Sequence, residues 1–256
     1  MDKKTCHFLR TFDRFAKFNM DFDAVMMDSL GRNRFQQLFR VYSWTPPAIS
    51  LGKNQKIDEV LDLEHTSKKG LEIIIRPTGG RAIYHKNDIC ISSAGLLAMD
   101  QSGSRSAQVL YNNFAELLLR FFDNLNIKTS LARGTRLDKE FRSGQGKLPC
   151  FLSATPYELV ADNRSKLAGI ALFVGKDRYL IQASITNQPM EVDDFAVFKG
   201  LNSSQELLES VTSLQEESGR IIDREEICEA LRKALTDCGY GNVIPLEETE
   251  IWGPRG

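Results

Sequence analysis

Two adjacent glycines, Gly79 and Gly80, lie between Arg76 and Arg81 in the segment 76–85. Paired glycines allow positive φ and bring a ligand close to the main chain. Main-chain N–H groups at such a turn, with guanidinium groups beside them, suit an anion such as a phosphate, an acyl phosphate or a carboxylate. The apolar runs at 71–75 and 88–97 predict a strand, a glycine turn and a strand. An ordinary glycine hairpin with two surface arginines fits the same pattern.

The second candidate pair for chemistry is Cys150 and Lys166. A cysteine thiolate can accept an acyl group as a thioester and pass it to an amine. A nearby ammonium group favours the thiolate and stabilises the tetrahedral oxyanion. The position of Cys150 between Pro149 and Phe151, after a glycine-containing loop, predicts exposure at a loop–strand junction, although a buried structural thiol is also possible.

The structural alternative for Lys166 is a surface lysine at a turn. An exposed charge of that kind contributes about 0–1 kcal/mol to stability. From the sequence we therefore expect Lys166→Ala to abolish acyl transfer and to leave the fold intact.

Three motifs occur together. An Arg-x-Thr-Gly-Gly-Arg-Ala turn precedes a histidine, a Cys-Phe pair precedes Tyr-Glu-Leu, and a lysine opens a strand that contains small residues. The chain resembles the biotin/lipoate protein ligase superfamily from about Met20 to Leu201, and most closely its cysteine-dependent octanoyltransferases. The matching residues are Arg76, Thr78, Gly79, Gly80, Arg81, Ala82, His85, Cys150, Phe151, Tyr157, Glu158, Leu159, Lys166, Gly169 and Ala171.

The resemblance implies an enzyme that attaches an octanoyl or lipoyl group to a lysine of a lipoyl carrier domain. It implies Cys150 as the nucleophile and Lys166 as the second catalytic residue. We expect an apolar, tunnel-like pocket between the glycine turn, Ser92 and the strand that begins at Lys166. The implied substrate-binding residues are Arg76, Thr78, Gly79, Gly80, Arg81, Ala82, His85, Gly169 and Ala171.

The same resemblance sets expectations for cofactors and partners. A transferase would need no cofactor, whereas a ligase would need ATP and Mg²⁺, with lipoate or octanoate as the acyl substrate. The acceptors would be lipoyl carrier domains of 2-oxoacid dehydrogenase subunits or the glycine-cleavage carrier, and the donor could be an acyl carrier protein.

Two other functions remain open from the sequence. An ATP-dependent lipoate–protein ligase would use the glycine turn and Lys166 to hold an acyl-adenylate. Those ligases usually have Ser-Gly-Gly-Gly-Ala at the turn and often carry an additional domain, for which we expect the tail of this chain to be too short. A non-catalytic carrier-binding relative is the third possibility. In this chain Ile170 replaces a family serine, and Ala183-Ser184 replaces a family His-Gly pair.

Composition limits the functional classes. The chain has 256 residues, 42% hydrophobic and 26% charged, with a net charge of −1. This near-neutral charge gives no electrostatic argument for nucleic-acid binding, and no apolar run is long enough to predict a membrane span. The five cysteines are an odd number without paired spacing, which predicts free thiols and a cytoplasmic location. The three histidines are far apart, so no metal site is predicted.

Periodicity predicts the elements that position these residues. Helices are expected at about 20–29, at 57–63, at 104–125 and twice in the tail, the first over about 203–214 and the second capped by Asp223. The strands at 166–174 and 180–185 should form a hairpin. The expected fold is α/β (α+β), a mixed and mainly antiparallel sheet flanked by helices, like a biotin/lipoate ligase catalytic domain. We expect a catalytic domain over 1–200 and a small helical C-terminal extension over 201–256.

Overall fold

The computed structural model describes residues 4–31, 35–97, 104–132, 158–162, 165–201 and 205–252. Eleven strands lie within these ranges. They are β1 (Lys4–Arg14), β2 (Gln37–Trp44), β3 (Ala48–Leu51), β4 (Glu72–Ile75), β5 (Ile83–His85), β6 (Asp88–Leu96), β7 (Thr129–Leu131), β8 (Leu159–Ala161), β9 (Lys166–Val174), β10 (Arg178–Thr186) and β11 (Tyr240–Pro245).

Eight of these strands form one large sheet in the order β11-β1-β2-β6-β10-β9-β8-β7. The pairs β11-β1 and β1-β2 are parallel, and the other five pairs are antiparallel. The mixed, mainly antiparallel sheet expected from the sequence is therefore confirmed. Strands β9 and β10 form the predicted hairpin, which is closed by a hydrogen bond from Gly175 N to Arg178 O of 2.8 Å.

The remaining strands form a small sheet in the order β4-β3-β5. The glycine turn leads from β4 to β5, and β3 lies between these two strands. The apolar runs on either side of the turn are thus not hairpin partners, because β4 belongs to the small sheet and β6 to the large one.

Helices cover both faces of the large sheet. They are α1 (Ala16–Ser29), α2 (Ile57–Val60), α3 (Leu63–Lys68), α4 (Ser104–Asn124), α5 (Gln205–Glu209), α6 (Leu214–Ser218), α7 (Arg224–Asp237) and α8 (Glu248–Trp252), and a 3₁₀ helix spans Val192–Val197. On one face the main core includes Phe121 of α4 and Leu231 of α7. On the other face Phe22 and Met26 of α1 pack against Leu180 of β10. Burying these stripes on the sheet is the main source of stability.

Helices with a strong local sequence pattern occur in the structure where they were predicted. The amphipathic stripe at 104–125 is α4, and the Asp223 side chain caps α7 by accepting from Glu226 N at 2.9 Å. The predicted helix at 57–63 is two short helices instead, because Asp62 caps a new helix by accepting from the main-chain N–H of Glu64 and His65.

The first strand was missed. Phe8, Phe12 and Phe15 have a helix-like spacing, yet residues 4–14 form β1, which is paired on both sides by β2 and β11. Strand pairing on both sides of β1 thus overrides a weak local pattern.

The single helix expected at about 203–214 was also wrong. Main-chain hydrogen bonds join Lys166 N to Ser210 O and Thr212 N to Lys166 O, both at 2.9 Å. These bonds hold residues 210–212 extended between α5 and α6. The proposed boundary at residue 200 stays a prediction, and the segment after it supplies β11 to the large sheet. No helix within the described ranges combines the length and apolar character needed to cross a bilayer.

Candidate active site

The glycine turn is held by a buried arginine. Arg76 is 4% exposed, and its Nη1 donates to Ser50 O at 2.9 Å and to Ser50 Oγ at 2.8 Å. Its Nη2 donates to Gly79 O at 2.9 Å and to Arg81 O at 2.8 Å. The guanidinium therefore fixes the path of the turn from inside. Arg76 therefore has a structural role in the turn, in addition to the anion binding predicted from the sequence.

Glycine is required where the turn approaches its neighbours. A Cβ on Gly52 would lie 2.0 Å from the carbonyl oxygen of Gly80, so the two main chains touch. Gly80 itself has φ +90°, and a Cβ built on it would lie 3.7 Å from the Ala171 Cβ. The turn is thus packed beside β9, as the sequence hypothesis requires of Gly80 and Ala171.

Thr78 connects the turn to a buried ion pair. Its hydroxyl donates to Gln182 Oε1 at 2.6 Å, and Gln182 Nε2 donates to Asp23 Oδ2 at 2.6 Å. Asp23 pairs with Arg40 at 2.8 Å, with both side chains fully buried, and it also accepts from Ser92 Oγ at 2.9 Å. Asp23 thereby joins α1 to β2, β6 and β10.

A narrow cavity of about 20 Å³, room for about one water molecule, lies between these groups and β9. Ser92 does not line it. Apolar and aromatic side chains make up much of the wall, and polar side chains occur at intervals. The lining residues are Met20, Tyr42, Trp44, Arg76, Ile83, His85, Cys90, Gly169, Ile170, Ala171, Gln182, Ala183 and Ser184.

His85 borders the cavity within a hydrogen-bonded group. Its Nε2 lies 2.7 Å from Ser50 Oγ, and its Nδ1 lies 2.7 Å from Asp88 Oδ2. The His85 ring stacks on Trp44 with centroids 3.9 Å apart. Since Ser50 also accepts from Arg76, His85 is coupled through Ser50 to the arginine that holds the glycine turn.

Cys90 forms part of the same wall. Its Sγ accepts from Trp44 Nε1 at 3.2 Å and lies 3.4 Å from Asp88 Oδ2. Burial, and next the charge of Asp88, raise the pKa of the Cys90 thiol well above its usual range. Cys90 is therefore a neutral thiol in this structure, unlike the activated thiolate expected of a nucleophile.

Lys166 is buried, and the expectation of a surface lysine at a turn was wrong. Its Nζ lies 2.5 Å from Glu158 Oε1, and the two side chains are 3% and 5% exposed. The main-chain bonds to Ser210 and Thr212 draw the start of β9 inward, which explains the burial. The Glu158 of the Tyr-Glu-Leu motif thus contacts the lysine of the next motif.

The proposed nucleophile lies outside the described residues, as do Phe151 and Tyr157. The structure therefore gives no distance between Cys150 and Lys166. Among the other predicted site residues, Arg76, His85, Gly169 and Ala171 share the cavity wall. Ala82 instead is buried in the small core beneath the small sheet. The substrate-binding role of the whole set stays a prediction.

Ile170 has a defined place on the sheet. Gly169 is paired with Ser184, and Ala171 with Gln182, whose side chains point toward Asp88 and Asp23. Ile170 alternates with them and packs against the main core, partly buried. Because successive strand side chains point to opposite faces, the Ile170 side chain points away from that of Ala171, although Ile170 also contributes to the cavity lining.

Several residues of the site were missed by sequence reasoning, among them Asp23, Arg40, Ser50 and Asp88. A usable signal existed for Arg40, since a charged residue between Phe39 and Val41 in an apolar strand needs a buried partner. No comparable local signal identifies Asp23 as that partner.

Comparisons with known proteins agree with this geometry. The family model described as lipoyl protein ligase A/B catalytic domain matches residues 16–236. The octanoyltransferase LipM of Carboxydothermus hydrogenoformans is 31% identical over 90% of this chain and 84% of its own length. The octanoyltransferase LipM of Kyrpidia tusciae is 27% identical over 96% of this chain and 91% of its own length.

Solved structures share the fold at lower identity. A lipoate-protein ligase A bound with ATP superimposes with a TM-score of 0.73 at 17% identity, covering 97% of this chain and 91% of its own. A bipartite lipoate protein ligase from Thermoplasma acidophilum gives 0.73 at 16% identity, covering 97% and 89%. At these identities the likeness establishes the architecture.

Proposed function

The chain belongs to the lipoyl protein ligase A/B catalytic-domain family, and from that premise we propose that it is an octanoyltransferase that modifies a lysine of lipoyl carrier domains. The observation that carries the proposal is the packing of Gly80 beside Ala171 of β9, next to a cavity whose wall includes Arg76 and His85. The cavity of about 20 Å³ is too small for an octanoyl chain as it stands, so the proposal requires its walls to move apart when the acyl chain binds. The relatives named octanoyltransferase match this chain over nearly their whole lengths.

The proposed reaction has two acyl-transfer steps and uses no cofactor. The Cys150 thiolate attacks the thioester carbonyl of an octanoyl carrier, and the carrier thiolate leaves and takes up a proton. The amine of the acceptor lysine, after losing its proton, then attacks the Cys150 thioester. The amine nitrogen loses a further proton to solvent as the amide forms, and the Cys150 thiolate is released, so each step exchanges one acyl bond for another.

Lys166 is assigned to the developing oxyanion. Its ammonium group lies beside Glu158. Lys166 is on the same strand as Gly169, which belongs to the cavity wall. A buried cation is worth more to a forming negative charge than an exposed one, because little water screens it. Glu158 keeps this ammonium group in place until the acyl oxygen acquires charge.

The proposed partners follow from the reaction. The acceptor is a lipoyl domain of a 2-oxoacid dehydrogenase subunit or the glycine-cleavage carrier, and the donor is an octanoyl acyl carrier protein.

To test the reaction, the purified protein is to be incubated with an apo lipoyl domain in two arms, one with octanoyl-carrier protein and one with lipoate, ATP and Mg²⁺. Intact mass of the acceptor should rise by an octanoyl group in the first arm. Modification confined to the second arm would favour the ligase, and none in either arm would favour a carrier-binding protein.

A trapping experiment tests the nucleophile. Without acceptor, the wild-type protein should accumulate a thioester that neutral hydroxylamine cleaves, and Cys150→Ala should form none. Cys238→Ala is the matched control, because Cys238 is a partly exposed free thiol in the tail. Full transfer by Cys150→Ala would remove the thioester route.

A further inference from the structure

Three side chains of different ligand type meet at one end of the cavity wall. His85 closes β5, and Asp88 and Cys90 are alternate residues of β6, so they point to the same face of the strand. The His85 ring nitrogen, an Asp88 oxygen and the Cys90 sulfur all lie within 4.8 Å of one another. From this arrangement we propose that His85, Asp88 and Cys90 bind a thiophilic divalent transition-metal ion of the Zn²⁺ class.

The separations between the three ligand atoms fit such an ion. Zinc bonds of about 2.0–2.3 Å in a tetrahedral site place ligand atoms roughly 3.3–3.7 Å apart. Cys90 Sγ lies 3.4 Å from Asp88 Oδ2 and 3.9 Å from His85 Nδ1. The third separation, 2.7 Å between His85 Nδ1 and Asp88 Oδ2, is a hydrogen bond. It must widen by about 0.6 Å or more to reach the separation of two zinc ligands when an ion replaces the shared proton.

An independent observation marks the same place. Asp88 is 3% exposed, and its Oδ1 has no hydrogen-bond partner. A buried carboxylate oxygen without a partner is costly and calls for an explanation. Its other oxygen, Oδ2, accepts from Ser184 Oγ at 2.7 Å and is thereby fixed in orientation. An ion bound by both oxygens of Asp88 would give Oδ1 the partner that it lacks.

Each ligand is also held from outside, as metal ligands usually are. Ser50 Oγ lies 2.7 Å from His85 Nε2, the ring nitrogen that faces away from the cluster. Trp44 Nε1 donates to Cys90 Sγ at 3.2 Å and its ring stacks on His85. These contacts leave Nδ1, the carboxylate and the sulfur directed at one another.

Metal binding changes the protonation of Cys90 and the position of the proton on His85. On binding, the Cys90 thiol proton is released to solvent, and the imidazole proton resides on Nε2, where it donates to Ser50 Oγ. The ligand set then carries the negative charges of Asp88 and Cys90, which match a divalent ion. His85, Cys90 and Ser184 line the cavity, so the fourth coordination position would face it and the ion would compete for space with an occupant.

The histidine spacing predicted no metal site, and this proposal departs from that prediction because it requires only one histidine. A single histidine with one carboxylate and one thiolate is sufficient for a site with three protein ligands and one open position.

Titration with Co²⁺ followed by absorption spectroscopy tests the proposal, because a thiolate ligand produces a sulfur-to-cobalt charge-transfer band and tetrahedral Co²⁺ gives strong visible bands. The wild-type protein should develop both with one equivalent bound. Cys90→Ser, which retains size and polarity, should lose the charge-transfer band. Cys228→Ala, another buried free thiol, and Cys150→Ala should keep it, which separates this site from the proposed acyl chemistry.

Ser50→Ala provides a second variant that leaves all three ligands in place. Loss of the contact to His85 Nε2 should weaken Co²⁺ affinity by about 10–100-fold. Absence of a band in the wild-type protein, or an unchanged band in Cys90→Ser, would overturn the proposal. Circular dichroism of each variant confirms that it is folded before titration.

Discussion

Two buried ion pairs flank the cavity region, and they differ in what surrounds them. Asp23 and Arg40 are fully buried, and Arg40 also donates to Asn19 O at 3.0 Å and to Thr11 Oγ1 at 2.6 Å. Glu158 and Lys166 are also buried, but they join β8 to the start of β9, at the end of the sheet next to β7. The first pair connects five elements of the framework, α1, β1, β2, β6 and β10, whereas the second connects only β8 and β9.

This difference separates stability from chemistry. Buried charges are maintained only with partners, and removing one partner leaves the other uncompensated. The Asp23–Arg40 pair is held by a dense hydrogen-bond network, so neither side chain is free to exchange its partners. The Glu158–Lys166 pair lies at the end of the sheet, outside that network, and we expect Lys166 to transfer part of its interaction to a substrate. The variants below compare the two pairs, beginning with the largest expected effect.

Arg40→Ala should be the most destabilising change. It leaves Asp23 buried without its cation, so the free energy of unfolding should fall by about 3–5 kcal/mol. Urea denaturation followed by circular dichroism measures this loss. Arg14→Ala is the control, because Arg14 pairs with Glu248 at 2.7 Å but its side chain is 41% exposed, and an exposed pair is worth about 0–1 kcal/mol. Equal losses in the two variants would contradict the framework role of Asp23 and Arg40.

Lys166→Ala should reduce acyl transfer far more than it reduces the free energy of unfolding. We expect acyl transfer to fall by roughly 10²-fold or more, through loss of oxyanion stabilisation. Stability should fall by about 1–3 kcal/mol, because Glu158 remains buried with one partner fewer. This stability loss replaces the intact fold expected from the sequence. Single-turnover transfer and urea denaturation on the same preparation measure both quantities. Unimpaired turnover by a folded variant would remove Lys166 from the mechanism.

Ser50→Ala tests the link between the glycine turn and His85. Ser50 Oγ lies between Arg76 Nη1 and His85 Nε2, so the alanine leaves two buried polar groups short of a partner. We expect a loss of about 1–3 kcal/mol in unfolding free energy and a rise in KM for the octanoyl carrier. Ser218→Ala, at an exposed hydrogen bond to Arg220 O, should change neither. If Ser50→Ala also changes neither, then Ser50 does not position the turn.

The comparison also shows what a sequence can predict. Helix α4, the β9–β10 hairpin and the Asp223 cap follow from patterns within a few residues, and each was predicted. The Asp23–Arg40 pair lies seventeen positions apart, and Gln182 joins Asp23 from 159 positions away. Those contacts depend on the order of strands in the sheet, which no local pattern encodes. Motif spacing identified Lys166 but gave no indication of its burial, because β9 begins against a tail segment that local patterns predicted to be helical.

Ile170→Val gives the smallest expected effect and tests the pocket itself. Ile170 alternates with Gly169 and Ala171 and packs against the main core, so removing one methylene should cost about 0.5–1.5 kcal/mol of unfolding free energy. Transfer kinetics with octanoyl and shorter or longer acyl carriers should stay within about twofold of wild type, since the rest of the cavity wall is unchanged. The matched variant Ala171→Val, on the cavity side, should instead raise KM most for the longest chain. A change in chain-length preference in Ile170→Val would place its side chain in the acyl path. Isoleucine at position 170, in place of the family serine, would then determine the accepted acyl-chain length as well as the packing of the core.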